Sequence, residues 1–249
     1  MADKPNEWYE DWFDTIYYHI LYKKRDHAEA VRFIDNLVHY LKSDKNSMFL
    51  DLACGKGRHS IYLNKKGYDV TGIDLSINNI SEARLSASSS LRFFEHDMRE
   101  PLPGMMFDYV LNLFTSFGYF EDPSDDRAVI EMVNSCLNPN GVFVLDYFNF
   151  GKPSHNFDKP FSKTIDSVCF DIKKHIENRR IIKEITVNDN DKVFHFAEQV
   201  RIYTLDQFRQ MLEEAGFVIH ATFGNYDLDP YLESSSDRLI LVAKHSDGN

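Results

Sequence analysis

The sequence predicts an α/β fold: a seven-stranded, mostly parallel sheet with helices on both faces, an antiparallel terminal hairpin and a small antiparallel β insertion. Three observations predict it. From residue 48 to 147, short β-rich apolar runs alternate with helical patterns, which implies right-handed crossovers between parallel strands. The first run ends in Gly55-Lys56-Gly57, a turn where backbone can approach a ligand closely at a helix N-terminus. Between residues 161 and 203 the helical period disappears, and a capped helix and two further apolar runs follow.

In chain order, residues 8–21 place Trp8, Trp12, Ile16 and Ile20 at four-residue steps with Tyr9, Phe13 and Tyr17 alongside, an amphipathic helix with an aromatic face. It either packs on the core or forms a lid over a ligand. Its polar residues, Glu7, Glu10, Asp11 and Asp14, disfavour anionic lipid. A second amphipathic helix spans about 26–42 through Ala30, Phe33, Ile34, Leu37 and Leu41. Strand 48–53 runs through the glycine turn into helix 57–66, closed by Gly67. Strand 69–73 leads to Asp74 and to Ser76, an N-cap for a helix to about 88. Strand 91–95 ends in His96-Asp97-Met98, and strand 107–113 follows. Asp122-Pro123 caps and opens a helix to about 137, and 141–147 is the fifth strand.

Residues 161–203 read as three strands, about 161–173, 179–187 and 193–203, with a turn at 188–191. Thr204-Leu-Asp-Gln207 is a capping box, and Gly216 closes its helix. Strands 217–223 and 238–244 pair most simply as a hairpin at the sheet edge. The expected organisation is an N-terminal helical lid (1–45), a main domain (46–150 and 204–249) and an insertion (151–203) that binds the second substrate.

A formal charge of −11 without a long basic run points away from nucleic acid. Cys54, Cys136 and Cys169 form no disulfide framework or metal spacing, and the histidines form no i, i+4 pairs, so a reducing compartment and no metal are expected. The first residues lack the order of a signal peptide, and no apolar run approaches a membrane span. A cytoplasmic protein without membrane contact is expected.

The ligand of the glycine turn is the next question. A dinucleotide fingerprint needs a third glycine where Ser60 stands, and it leaves Asp51 unexplained. A carboxylate at that place suits a ligand with a cationic amino-acid end. S-adenosyl-L-methionine is such a molecule, with an ammonium, a sulfonium, a ribose diol and an adenine, but no phosphate. Ligands of open α/β sheets sit beyond the carboxyl ends of the strands. Asp51, Asp74, Asp97 and Asn112 stand at four successive strand ends in phase with the turn. Asp74 can accept both ribose hydroxyls and Asp97 an adenine amino group.

Leu50-Asp-Leu-Ala-Cys-Gly-Lys-Gly57, Gly72-Ile-Asp-Leu75, Asp97-Met98 and the segment from Asn112 resemble the class I S-adenosylmethionine-dependent methyltransferases, whose fold is Rossmann-like. The resemblance runs over about 48–148 and 204–244. It implies that Asp51, Ala53, Cys54, Gly55 and Gly57 back the methionine part of the cofactor, that Asp74 holds the ribose, and that Asp97 meets adenine between Leu75 and Met98. It also places Asn112 and Phe114 near the methionine end, and makes S-adenosyl-L-homocysteine the product. Asn112 to Tyr119, the insertion and Gly224-Asn-Tyr-Asp227 are similar to small-molecule N-methyltransferases, including those acting on amino sugars. The segment after strand 107–113 lacks the Asn/Asp-Pro-Pro-Tyr/Phe sequence of many enzymes that methylate nucleic-acid amino groups or protein glutamine.

The expected activity is methyl transfer to a small-molecule acceptor at nitrogen, by in-line displacement that needs mainly alignment and desolvation. Acceptor contacts are expected from Tyr9, Tyr17, Tyr119, Tyr147, Asn149, Arg201 and Tyr203. His59 and Tyr119 are the catalytic candidates, His59 being equally suited to capping or packing. Glu198, on the apolar face of strand 193–203, is either paired with a nearby Arg or Lys or functional. O-methyl transfer, nicotinamide-dependent oxidoreduction and non-catalytic binding are the alternatives.

Overall fold

The structure, a computed structural model, describes residues 8–23, 27–153 and 159–246. In chain order the elements are α1 (Trp8–Phe13), α2 (Ile16–Leu21), α3 (His27–Leu41), β1 (Met48–Leu52), α4 (Arg58–Lys65), β2 (Asp69–Asp74) and α5 (Ile77–Ala83). Then come β3 (Leu91–Glu95), β4 (Phe107–Asn112), α6 (Pro123–Cys136) and β5 (Leu137–Phe148). Strands β6 (Phe161–Ile165), β7 (Val168–Glu177), β8 (Arg180–Asp189) and β9 (Lys192–Arg201) precede α7 (Leu205–Glu214), β10 (Phe217–Phe223) and β11 (Arg238–His245). No helix among the described residues is long and apolar enough to cross a membrane. The described chain divides into two compact units, one of residues 8–23 with 159–202 and one of 27–153 with 203–246.

The larger unit is a seven-stranded sheet in the order β10-β11-β5-β4-β1-β2-β3. β1 pairs in parallel with β2 on one side and β4 on the other, so strand order reverses at β1. Only β11 runs against the rest, antiparallel to both β5 and β10. β1 is buried along almost its whole length, as a strand covered on both faces must be. Phe49 joins a cluster with Phe33, Ile34 and Leu37 of α3, Leu63 of α4 and Ile80 of α5, and its neighbour Leu50 turns to the opposite face. The local signals sit where the sequence puts them. Ser76 Oγ accepts from the Asn79 N–H at 3.0 Å, and Asp122 caps α6 with Pro123 behind it. Thr204 and Gln207 close both halves of their capping box.

The smaller unit is an antiparallel meander, β6-β7-β8-β9. Among the boundaries that differ from the sequence reading, two have a local cause. The aromatic helix is two short helices, because Thr15 takes an extended conformation and its hydroxyl accepts from the Tyr18 N–H at 3.1 Å, starting α2 afresh. The strand expected at 161–173 is split by a hairpin at Asp166 and Ser167, both with positive φ (49° and 72°), the geometry of the commonest two-residue loop. Trp12, 1% exposed, lies against Phe196 at 4.7 Å between ring centroids, and Tyr17 against Phe194 at 5.0 Å. Glu198 is paired: it accepts from Trp12 Nε1 (2.9 Å), the Tyr22 hydroxyl (2.6 Å) and Lys183 Nζ (3.0 Å). Burial pushes the Lys183 ammonium below its usual range, and Glu198 opposes that shift. The helices α1 and α2 belong with this meander, and α3 with the seven-stranded unit.

Candidate active site at the carboxyl ends of the strands

The reversal of strand order at β1 leaves a crevice beyond its carboxyl end, the usual ligand position of a doubly wound sheet. There Gly55 has φ +56° and Gly57 φ +77°, which glycine adopts without steric cost. The two glycines differ in what they face. A Cβ on Gly57 would stand 2.6 Å from the Phe93 ring, so this glycine lets the turn pack on β3. A Cβ on Gly55 would meet nothing within 4 Å, so the backbone there faces open space. Ala53 also holds a positive φ, 54°, a conformation that costs a residue with a Cβ about 1–2 kcal/mol.

Asp74 organises this turn: its two carboxylate oxygens accept the Gly55 N–H at 2.8 Å and the Ser76 N–H at 2.9 Å. Asp51 is 1% exposed and accepts the Ser60 hydroxyl at 2.5 Å. Burial pushes its carboxyl up to about 6, with the hydrogen bonds from Ser60 opposing and the charge of Asp74 adding to the rise. Folded Asp51 thus holds a proton between pH 3.8 and about 6 that the unfolded chain releases. Its stabilising contribution is complete below 3.8 and lost as pH rises through about 6. Asp51→Asn is expected to be more stable than the unsubstituted protein by about 3 kcal/mol at pH 8, with the gap closing near pH 4. Urea denaturation at the two pH values measures it; an equal gap at both would show that the carboxyl is not the source.

Asp97 accepts the Arg99 guanidinium on both oxygens, at 3.0 and 2.6 Å, and Arg99 reaches on to Asp125 at 3.0 Å. Burial works to raise the Asp97 carboxyl, but the Arg99 hydrogen bonds and charge outweigh it and hold it below the usual range. Asn112 is wholly buried. Its Nδ2 donates to the Ser116 carbonyl at 3.4 Å and lies 3.9 Å from Met98 Sδ, while its Oδ1 makes no hydrogen bond. Leu75 is 38% exposed.

Beyond β4, Phe114 and Thr115 both have positive φ, 60° and 62°. Phe114 lies between two rings, His59 at 4.9 Å and Tyr226 at 5.0 Å, with the Arg58 guanidinium 4.6 Å from its centroid. His59 is buried, and its Nε2 stands 3.3 Å from Arg58 Nη2. Guanidinium only donates, so Nε2 is the acceptor and its lone pair is taken. The Tyr119 hydroxyl donates to the Thr115 carbonyl at 2.5 Å.

The other expected acceptor contacts divide between the two units. Tyr147 is a core residue, 2% exposed, packed on Phe208 and Phe117. Asn149 donates to the Glu233 and Ser236 carbonyls and accepts from the Gly151 N–H and the Tyr231 hydroxyl, which fills its capacity. Tyr203 lies past the end of β9, off the strand face expected for it; its hydroxyl donates to buried Asp126 at 2.7 Å. Tyr9, Tyr17 and Arg201 belong to the smaller unit, where Tyr17 donates to Asp189 at 3.0 Å.

Sequence reasoning missed Asp146. It is fully buried at the end of β5 and accepts from Phe114 N–H, the Tyr226 hydroxyl and the Arg238 guanidinium. The signal was present: an acid closes the apolar run of the fifth strand, as acids close the first two.

An acid before a Gly-x-Gly turn at the switch point, open space at Gly55 and a second acid one strand over agree with the expected S-adenosylmethionine-dependent methyltransferase site. The chain belongs to the methyltransferase-domain family, whose model matches residues 22–222. It is 27% identical to the dTDP-3-amino-3,4,6-trideoxy-alpha-D-glucopyranose N,N-dimethyltransferase of Streptomyces venezuelae over 83% of this chain and 86% of the relative. It is 31% identical to a glycine/sarcosine N-methyltransferase of Parasynechococcus marenigrum over 90% and 80%. The solved structure of an S-adenosylmethionine-dependent methyltransferase from Clostridium acetobutylicum superposes with TM-score 0.78 at 22% identity, covering 93% of this chain and 96% of that one. The protein is an S-adenosylmethionine-dependent methyltransferase. The residues present fit that cofactor: open space at Gly55, an unpartnered buried acceptor at Asn112 and an exposed apolar side chain at Leu75.

Proposed function

We propose that this enzyme methylates a nitrogen atom of a small-molecule amine in the cytoplasm, where its three free thiols stay reduced. The observation that carries the choice of nitrogen is the state of the two candidate bases. The His59 Nε2 lone pair is engaged by Arg58, and the Tyr119 proton by the Thr115 carbonyl. An amine that arrives neutral already has its nucleophilic lone pair, whereas a hydroxyl needs a base to take its proton during attack. Relatives that methylate an amino sugar or glycine and sarcosine support the same choice.

S-adenosylmethionine supplies a methyl group already activated on a cationic sulfur. The work of the chain is to bind and orient. Asp51 would face the ammonium end and Asp74 the ribose hydroxyls, with Leu75 and Met98 as apolar walls beside Asp97, whose oxygens Arg99 engages. Asn112 would offer Oδ1, and Ala53, Cys54, Gly55 and Gly57 would supply the backbone cradle. Phe114 would lie at the methionine end, and Tyr119 would border the acceptor.

Calorimetric titration with S-adenosylhomocysteine, NAD and NADP, followed by labelled methyl transfer to matched amine and alcohol panels, tests this. Micromolar binding of the first alone, with label in amines, is expected. Label in alcohols only would overturn the nitrogen assignment, and binding of a nicotinamide cofactor alone would overturn the whole reading.

A further inference from the structure

Asp146 is a buried titratable group to which the reaction gives no task, yet its contacts converge on the segment after β4. Its Oδ1 accepts both Arg238 Nε (2.7 Å) and Nη2 (2.6 Å). Its Oδ2 accepts the Phe114 N–H (2.8 Å) and the Tyr226 hydroxyl (3.1 Å). Its own carbonyl takes the Thr115 N–H at 3.0 Å, and Arg238 Nη2 reaches the Thr115 hydroxyl at 2.8 Å. One residue, through its carboxylate and its own carbonyl, therefore ties together β5, β11, the loop after β10 and two successive residues in the left-handed region. A single oxygen, Oδ2, sets the spacing of Phe114 from Tyr226, whose rings stack at 5.0 Å.

We propose that Asp146, Arg238 and Tyr226 are positioning residues for methyl transfer: through Phe114 and Thr115 they fix the shape of the methionine end of the cofactor site. The proposal rests on the reading that Phe114 lies at that end. Two consecutive residues with side chains stay in left-handed conformations only where surroundings over-determine them. Here every hydrogen-bonding position of a buried carboxylate is used to that effect. None of the three residues needs to touch a reacting atom.

The test uses two ligands that differ only at the sulfur, S-adenosylmethionine and S-adenosylhomocysteine. Their affinity ratio reports on that end of the site, and a general loosening of the fold cancels from it. Tyr226→Phe keeps the ring stack and removes one hydroxyl, while Thr115→Val removes the contact with Arg238. Each is expected to shift the ratio about fivefold, the scale of one lost hydrogen bond. Tyr62→Phe removes a hydroxyl bonded to Asp35, outside this network, and is expected to leave the ratio unchanged. An unchanged ratio in both test variants, or an equal shift in Tyr62→Phe, overturns the proposal while the cofactor reading stands. If the unsubstituted protein binds neither ligand, the cofactor reading fails and takes this proposal with it.

Discussion

Replacing Gly55 with valine is expected to abolish S-adenosylhomocysteine binding at concentrations that saturate the unsubstituted protein, while folding stability falls by only about 1–2 kcal/mol. The stability cost comes from the left-handed conformation, since a Cβ at Gly55 meets no protein atom within 4 Å. The binding cost is larger because that open space is where the cofactor would approach the backbone, and the isopropyl group would occupy it. Gly57 makes the matched control. A Cβ there drives into the Phe93 ring at 2.6 and 2.7 Å, so Gly57→Val is expected to lose stability first and binding as a consequence. Calorimetry and thermal melting on the pair separate the two roles. Normal ligand affinity in Gly55→Val would mean that the turn faces no ligand.

Arg238→Met is expected to cost about 3–5 kcal/mol of folding stability at neutral pH, the range for removing one partner of a buried ion pair. The reason is Asp146, which is fully buried while Arg238 is 16% exposed. Burial already pushes the Asp146 carboxyl above its usual range, and the Arg238 charge is foremost among the groups opposing that rise. Without Arg238 the carboxyl rises further. A group with a raised folded value stabilises most at low pH and loses that contribution as pH increases. The variant is therefore expected to be nearest the unsubstituted protein in acid and furthest from it at pH 8. Adding Asp146→Asn to Arg238→Met is expected to recover part of the loss, because no unpaired charge remains buried. Urea denaturation across pH measures both statements. A loss that does not vary with pH would assign the effect to packing of the arginine stem.

Much of this architecture was legible from local chemistry. Ser76, Asp122 and Thr204 announce helix starts through their own hydroxyls and carboxylates, and the Gly55-x-Gly57 turn announces a switch point. The misread boundaries are places where one local bond overrides a pattern. The four-residue period of Trp8 to Ile20 continues across Thr15, yet the Thr15 hydroxyl restarts the helix. Asp166 and Ser167 form a hairpin without the Asn-Gly or Asp-Gly pair that usually marks one. In the site, the acids closing β1 and β2 could be found by reading strand ends. Asp146 and Arg238 could not be matched, because the pairing of β5 with β11 that joins them spans 92 residues. Tyr147, Asn149 and Tyr203 look like loop-border residues in sequence; only packing reveals that each is consumed by the protein itself.

The interior position of β11 bears on how the chain is made. Synthesis delivers β10 before β11, yet the sheet seats β11 between β5 and β10. Until β11 leaves the ribosome, β10 has no neighbour to join and β5 presents one open edge. Arg238, at the head of β11, is also the counter-charge of Asp146, so the nascent domain would carry that carboxylate unmatched until the same moment. The last strand closes the sheet and neutralises its buried acid in one event. Such late pairing is intrinsically slow and leaves strand edges exposed to other chains.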